Sequence, residues 1–437
     1  MSEKMMAPPV LPVDGPQQIK LMTQCADLFS VSCSETDTDG DSECEPENGS
    51  DTTSEEQHLE QQQLHMHSDI HPQESHTSPQ TQPKTNGDLH IHTVLDCGFE
   101  VMTCQFSEDG SMLAAGLNDG SIKVYSTDSG ELIQTLKDNS SSLFSMPVTA
   151  LRFTVTGQSH CQIMATYASG YVCCWYVWGG QKLWESNEAS EAGVQRQTLS
   201  LSVSPSGEQA LTSGSDSVIH LYDLTTHQRL QSFSASSSRT VMDGHRFRVF
   251  AVTFHPECAR EFISGGWDNT IQANNHFSCN NSSQIHSIHI QFWDTRQQRS
   301  IRMISGPHVC GDALQIDPTA NQILTGSWRK YNTLEVWDYS SGQRVREVPH
   351  DQHGESRIYT CHWFGQEHIV AAGSQPNMLR VIRRKTFTTE SCLFGLSSAV
   401  FSSSVCPSGK WMGLIAASSG NKVFLLDKGW HARKDIA

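Results

Sequence analysis

The sequence predicts an all-β chain folded as a closed radial stack of seven four-stranded sheets, preceded by an acidic arm. Three observations carry this. An apolar residue just before a short turn recurs at Phe106, Phe153, Val203, Phe254, Ile316, Trp363 and Val405, at steps of 47, 50, 51, 62, 47 and 42 residues. Each period then repeats the same parts: a strand ending in small residues, a turn, an apolar strand, and usually one more strand. The one outlying step contains a polar, Asn/Ser/His-rich stretch, residues 273–291, and without those 19 residues it falls to 43.

The first segment, residues 1–88, holds 17 Asp/Glu against 3 Lys/Arg, whereas the whole 437-residue chain has a net charge of −17. The charge therefore belongs to the arm. Ser30 to Glu56 has almost nothing to bury, and hydrophobic content over the chain is only 37%, so a disordered arm is expected. Ser34, Thr36 and Thr38 precede acidic residues and are candidate phosphorylation sites. Gln/His-rich sequence follows; His65, His67 and His71 lack a fold to fix a metal's geometry, and no metal or cofactor is expected. An arm this acidic disfavours nonspecific nucleic-acid binding and docking on an anionic membrane.

From residue 89 the strands begin. Ile91, Thr93 and Leu95 alternate in His90–Asp96, which precedes the first period and has no partner within it. The second strands are Met112–Gly116, Ile163–Tyr167, Ala210–Gly214, Phe262–Gly266, Ile323–Ser327, Ile369–Gly373 and Gly413–Ser418. The third are Ile122–Tyr125, Val172–Trp175, Ile219–Tyr222, Phe292–Trp293, Leu334–Trp337, Leu379–Ile382 and Val423–Leu426. Fourth strands follow in five periods: Leu132–Leu136, Leu183–Glu185, Leu230–Phe233, Ile301–Ile304 and Val345–Val348. Small residues sit where neighbouring sheets must approach closely. The 14 cysteines include no C-x-x-C pair and read as reduced thiols filling small core positions. No apolar run reaches the ~18 residues of a membrane span, and no signal peptide is evident, so cytoplasm, nucleus or both are expected.

Trp293-Asp294 and Trp337-Asp338 end third strands, Tyr222-Asp223 and Leu426-Asp427 are near variants, and Gly244-His245 opens the fourth period. In these residues the chain resembles the WD-repeat β-propeller family over about residues 89–430, with residues 431–437 as a short tail. The resemblance implies a seven-bladed β-propeller of four-stranded antiparallel blades, with the N-terminal strand completing the last blade. It also implies a hydrogen-bonded network of His, Ser/Thr, Asp and Trp inside a blade, which only the fourth repeat supplies in full: His245, Ser264, Asp268 and Trp293. A buried indole and imidazole both need partners, so these residues read as structural.

No catalytic motif is present: no nucleophile elbow, phosphate loop or His-Glu-x-x-His. The expected function is a non-enzymatic protein–protein interaction scaffold using the propeller faces, with other proteins as partners and neither nucleic acid nor membrane. Arg380, Arg383, Arg384 and Lys385 lie close together in repeat six, and Arg383 and Arg384 are candidate docking residues for an acidic partner. Phe262–Gln272 joined to Phe292–Arg296 resembles the sixteen-residue adaptor-docking box of substrate receptors in cullin–RING ubiquitin ligases. That resemblance makes Asp294 and Arg296 candidate adaptor contacts. Ile290-Gln291 repeats Ile271-Gln272, so Ile288–Trp293 is expected to form the third strand, with residues before it bulging as one long loop.

Overall fold

Each period forms one antiparallel sheet because its strands are short and turn-bounded and its inner three are largely apolar. Residues 82–138, 145–155, 161–188, 196–238, 241–267 and 289–429 are described by the computed structural model. Within them the seven sheets follow in chain order around a ring. The first blade comprises Val101–Phe106, Met112–Leu117, Ile122–Ser126 and Leu132–Leu136; the second Val148–Val155, Cys161–Tyr167, Tyr171–Tyr176 and Gln181–Asn187; the third Thr198–Val203, Gln209–Gly214, Ile219–Asp223 and Gln228–Phe233. The fourth comprises Val249–His255, Cys258–Gly266, His289–Asp294 and Arg302–Ser305, and the fifth Leu314–Asp317, Gln322–Gly326, Leu334–Asp338 and Arg344–Glu347. In the sixth, Arg357–Phe364, His368–Ser374, Met378–Arg383 and Thr388–Phe394 are joined by Lys84–Asn86; in the seventh, Ser403–Val405, Ile415–Ser419 and Lys422–Asp427 are joined by His90–Asp96.

Burial falls from the axis outward. Met112–Leu117 is buried throughout, whereas the outer strand Gln181–Asn187 has no fully buried residue. The apolar core is a set of layers between neighbouring blades, and the adjacent Cys173 and Cys174 point into different layers. All ten described cysteines are free thiols. Innermost strands have one unpaired edge, and hydroxyls of the preceding blade in the ring cap it. Ser200 and Ser202 accept from the backbone N–H groups of Val252 and Phe254 at 3.2 and 3.1 Å, and Ser402 and Ser404 accept from those of Cys104 and Phe106 at 3.0 and 3.1 Å. This explains the Ser-rich alternation of Thr198–Val203. Arg152, on the inner strand of blade two, reaches Asp312 at the entry to blade five, 2.9 Å away. Those blades lie on opposite sides of a seven-membered ring, so the pair braces the central channel.

The ring closes as the sequence predicts: His90 pairs with Asp427 and Asp96 with Lys422. A charged latch supports the seam. Buried Lys428 donates to Glu390 at 2.8 Å and lies 2.7 Å from His368 Nε2. Burial pushes the Glu390 carboxyl up, but hydrogen bonds from Lys428, Arg383 and His368 outweigh it and bring it down to about 2.

Two expectations need correction. The arm does not extend unpaired to residue 88, because Lys84–Asn86 pairs with the outer strand of blade six, Lys84 opposite Phe394 and Asn86 opposite Cys392. That outer strand, Thr388–Phe394, was itself absent from the sequence reading. Lys84–Asn86 is a short polar segment held by backbone pairing at the sheet edge, and Thr388–Phe394 begins polar and gathers its buried residues, Ser391 to Leu393, towards its far end, so neither shows an apolar alternation. The fourth blade keeps its expected register: Gly265 faces Ile290, Ser264 faces Gln291 and Phe262 faces Trp293. Residues 268–288 lie outside the described residues.

Candidate functional site: polar networks and exposed edges of the propeller

The centre of blade four is a buried polar network. Trp293 Nε1 donates to Ser264 Oγ at 2.8 Å, and His245 Nε2 lies 2.7 Å from the same oxygen. All three side chains are at most 2% exposed, and Phe262 stacks on the indole at 5.8 Å. One hydroxyl serves two rings because it has two lone pairs and one proton. Gly266 allows the close approach: a Cβ there would stand 2.2 Å from the Arg248 carbonyl oxygen. Asp268 lies outside the described residues, as do Ser34, Thr36 and Thr38.

The same register position decides the chemistry of the other blades. Thr325 Oγ1 accepts from Trp337 Nε1 at 3.0 Å in blade five. Blade two has Ala165 there, and its Trp175 donates instead to the Tyr167 hydroxyl at 3.2 Å. Blade six has Ala371 opposite Arg380 and Ile382 opposite Ile369, so donor and acceptor are lost together.

Blade three holds a network the sequence reading missed. Buried Glu188, just past the outer strand of blade two, accepts from the Tyr222 hydroxyl at 2.7 Å, Thr198 Oγ1 at 2.6 Å, Arg196 Nε at 3.1 Å and also Thr212 Oγ1. Arg196 further bonds Asp216 and the Val218 carbonyl. Burial opposes the Glu188 charge most strongly, yet Arg196, His220 and the hydroxyls hold its carboxyl below the ordinary range. Burial likewise brings His220 down to about 4, against the pull of Glu188. The available signal was Tyr222-Asp223 in place of Trp-Asp, since a phenol needs a different acceptor from an indole.

At the end of the third strand of blade four, Asp294 is 7% exposed and Arg296 is 67% exposed. The Arg296 guanidinium folds back to bond both carboxylate oxygens, with Nε 2.9 and 3.1 Å from them. Those bonds bring the Asp294 carboxyl down to about 2. The pair presents a fixed cation at the blade edge. Beside it Arg302 lies 3.6 Å over the Phe292 ring.

The basic run of repeat six is divided among separate contacts. Arg380 is buried and donates to the Pro349 carbonyl at 2.7 Å. Arg383 bonds Glu390 within the latch. Arg384, 13% exposed, pairs with Asp317, donates to Gln322 at 2.8 Å and covers the Trp363 ring at 4.1 Å. Lys385 is exposed. Proximity in sequence becomes dispersal because successive strand residues face opposite blades.

A different cluster forms on the face carrying the loops between blades. Trp267 packs against Phe250 at 5.0 Å and His308 at 4.8 Å. The Trp328 backbone N–H donates to the His308 carbonyl at 2.9 Å. Trp328 donates to the Tyr359 hydroxyl at 2.8 Å, Arg357 covers its ring at 4.6 Å, and Tyr359 meets Phe401 at 5.2 Å. Phe247 and Tyr331 flank this belt, 48% and 64% exposed, and Lys330 is exposed. The sequence does not assemble it, because its members come from strand ends and loops spread over blades four to seven.

Seven antiparallel blades of four strands, the sixth extended to five by Lys84–Asn86, around a braced channel define a β-propeller. A family model described as "WD domain, G-beta repeat" matches residues 236–272, and one described as "Anaphase-promoting complex subunit 4 WD40 domain" matches residues 90–156. The chain is a β-propeller, and the two matched stretches support placing it with the WD-repeat propellers. It is similar to cilia- and flagella-associated protein 52 of Chlamydomonas reinhardtii, at 22% identity over 65% of this chain and 37% of that protein, and of Sus scrofa, at 25% over 64% and 38%. It is also similar to the periodic tryptophan protein 2 homolog of Caenorhabditis elegans, at 23% over 39% of this chain and 16% of that protein. The chain thus spans well under half the length of these relatives. A chain of a crystal structure titled as the mitotic checkpoint complex matches with a TM-score of 0.59 and 16% identity, covering 78% of this chain and 95% of that one; this likeness concerns the fold alone.

Proposed function

We propose that this protein is a non-enzymatic scaffold, acting in the cytoplasm, the nucleus or both, that binds other proteins on the loop face of blades four to seven. The observation that carries the reading is the aromatic and cationic belt from Phe250 to Phe401, flanked by exposed Phe247, Lys330 and Tyr331. Aromatic and Arg side chains on a rigid support are the residues that anchor protein interfaces, and the cations favour an acidic partner. The test is proximity labelling with the full chain and with a Phe247→Ala, Lys330→Glu, Tyr331→Ala variant whose circular dichroism is unchanged. The variant is expected to lose a defined subset of partners; an identical partner set would refute the proposal.

A second reading is favoured by the exposure of Arg296: docking of a cullin–RING ubiquitin-ligase adaptor through Asp294 and Arg296. Adaptor recovery that is absent, or unchanged by Arg296→Ala, would exclude it.

A further inference from the structure

The rim of blade six gathers three donors that neither the propeller fold nor the scaffold reading uses. Asp351 and His353 stand on the loop entering the blade, and Cys392 stands on its outer strand. One donor atom from each lies within 4.8 Å of the other two. Asp351 and Cys392 are buried, at 8% and 1% exposure, whereas the His353 side chain is 27% exposed. The arrangement is built rather than incidental. Gly354 N–H donates to the Asp351 carbonyl at 3.0 Å, closing a tight turn that keeps Asp351 and His353 on one side. Asp351 Oδ1 receives the His353 backbone N–H at 3.0 Å and also bonds its Nδ1. The imidazole stacks on Phe394 at 4.5 Å, which limits its rotation.

We propose that Asp351, His353 and Cys392 form a binding site for a zinc-class divalent cation. A thiolate, an imidazole and a carboxylate are a donor set that zinc accepts, with metal–ligand lengths of about 2.0–2.3 Å. A tetrahedral centre with those lengths needs donors roughly 3.3–3.8 Å apart, so rotation of the side chains by about an ångström closes the site. A cavity of about 310 Å³, lined by Asp351, Cys392, Thr389 and Asn86 among others, adjoins it and has room for water as the fourth ligand. Arg380 faces Cys392 across the sheet and is 3% exposed. Held by Thr389 Oγ1 at 3.0 Å and the Pro349 carbonyl at 2.7 Å, its guanidinium offsets the charge of a carboxylate and a thiolate placed together. Asn86, in the added N-terminal strand, also pairs with Cys392. A bound cation therefore joins the entry loop to the strand against which the N-terminal segment docks.

The test uses the purified full-length chain titrated with Co²⁺ as a spectroscopic substitute for Zn²⁺. One cobalt per chain is expected, with a near-ultraviolet thiolate-to-cobalt charge-transfer band that Zn²⁺ abolishes. Cys392→Ser should remove the band, and His353→Gln and Asp351→Asn should each weaken binding by about tenfold or more. Zn²⁺ should raise the melting temperature of the wild-type chain but not of Cys392→Ser. Binding without a thiolate band, as histidines of residues 58–76 would give, overturns the proposal; so does a band that survives in Cys392→Ser, or no binding at all.

Discussion

Replacing Ser264 by Ala removes one oxygen from blade four and strands two rings. Trp293 Nε1, 2.8 Å away, and His245 Nε2, 2.7 Å away, both depend on it, and neither side chain is more than 2% exposed. Leaving a buried polar group without a partner costs about 1–3 kcal/mol, and the two groups share one site, so Ser264→Ala should cost about 2–4 kcal/mol. In a Trp293→Phe background the indole donor is already gone, and only the imidazole loses a partner. The same Ser264→Ala change should then cost about 1–2 kcal/mol less, a coupling within the range seen for contacting groups. Blade six already embodies the double replacement, with Ala371 and Ile382 at these positions. The assay is equilibrium urea denaturation of the four variants followed by far-ultraviolet circular dichroism, which does not depend on the mutated tryptophan. A coupling below about 0.5 kcal/mol would show that the indole–hydroxyl bond does not carry the stability assigned to it.

Deleting residues 273–291 joins Gln272 to Phe292 and places Ile271 and Gln272 opposite Gly265 and Ser264, where Ile290 and Gln291 stand now. The ring should keep its fold and its melting temperature should not fall; a clear loss of cooperative melting would refute the register argument. Arg196→Met leaves the Glu188 charge buried without its counterion and should destabilise the protein by about 3–5 kcal/mol in urea denaturation, with Glu188→Gln in the same chain recovering part of the loss. The neutral, buried His220 and His308, each brought down to about 4 by burial, take up protons on unfolding. Their contribution is complete above about pH 6.5 and is lost as pH falls toward 4, at up to about 1.4 kcal/mol per pH unit for each. Denaturation curves across that window should flatten in a His220→Gln, His308→Gln variant. Arg152→Met breaks the channel brace to Asp312 and should cost about 1–3 kcal/mol; no change in melting would show that solvent in the channel replaces it.

The period of the sequence determined the number of blades and the order of their first three strands, and the family resemblance supplied the closing strand. The blade count rests on local alternation, because each apolar strand must be covered on both faces, and His90–Asp96 alternates in the same way without a partner inside the first period. The register across residues 273–291 was legible for the same reason, because a repeated Ile-Gln pair keeps the same faces inward. Of the candidate network, His245, Ser264 and Trp293 were readable because they occupy fixed offsets within one repeat. Glu188 and Arg196, the Arg152–Asp312 brace, the loop-face belt and the Asp351, His353 and Cys392 cluster were not. Their members come from different blades, or from a loop and a distant strand, and no periodic rule relates them. Arg380, Arg383 and Arg384 show the converse: neighbours in sequence, they reach Pro349, Glu390 and Asp317 respectively. Strand alternation sets which face a side chain takes, and only the packing of one blade on the next decides which polar group it meets there.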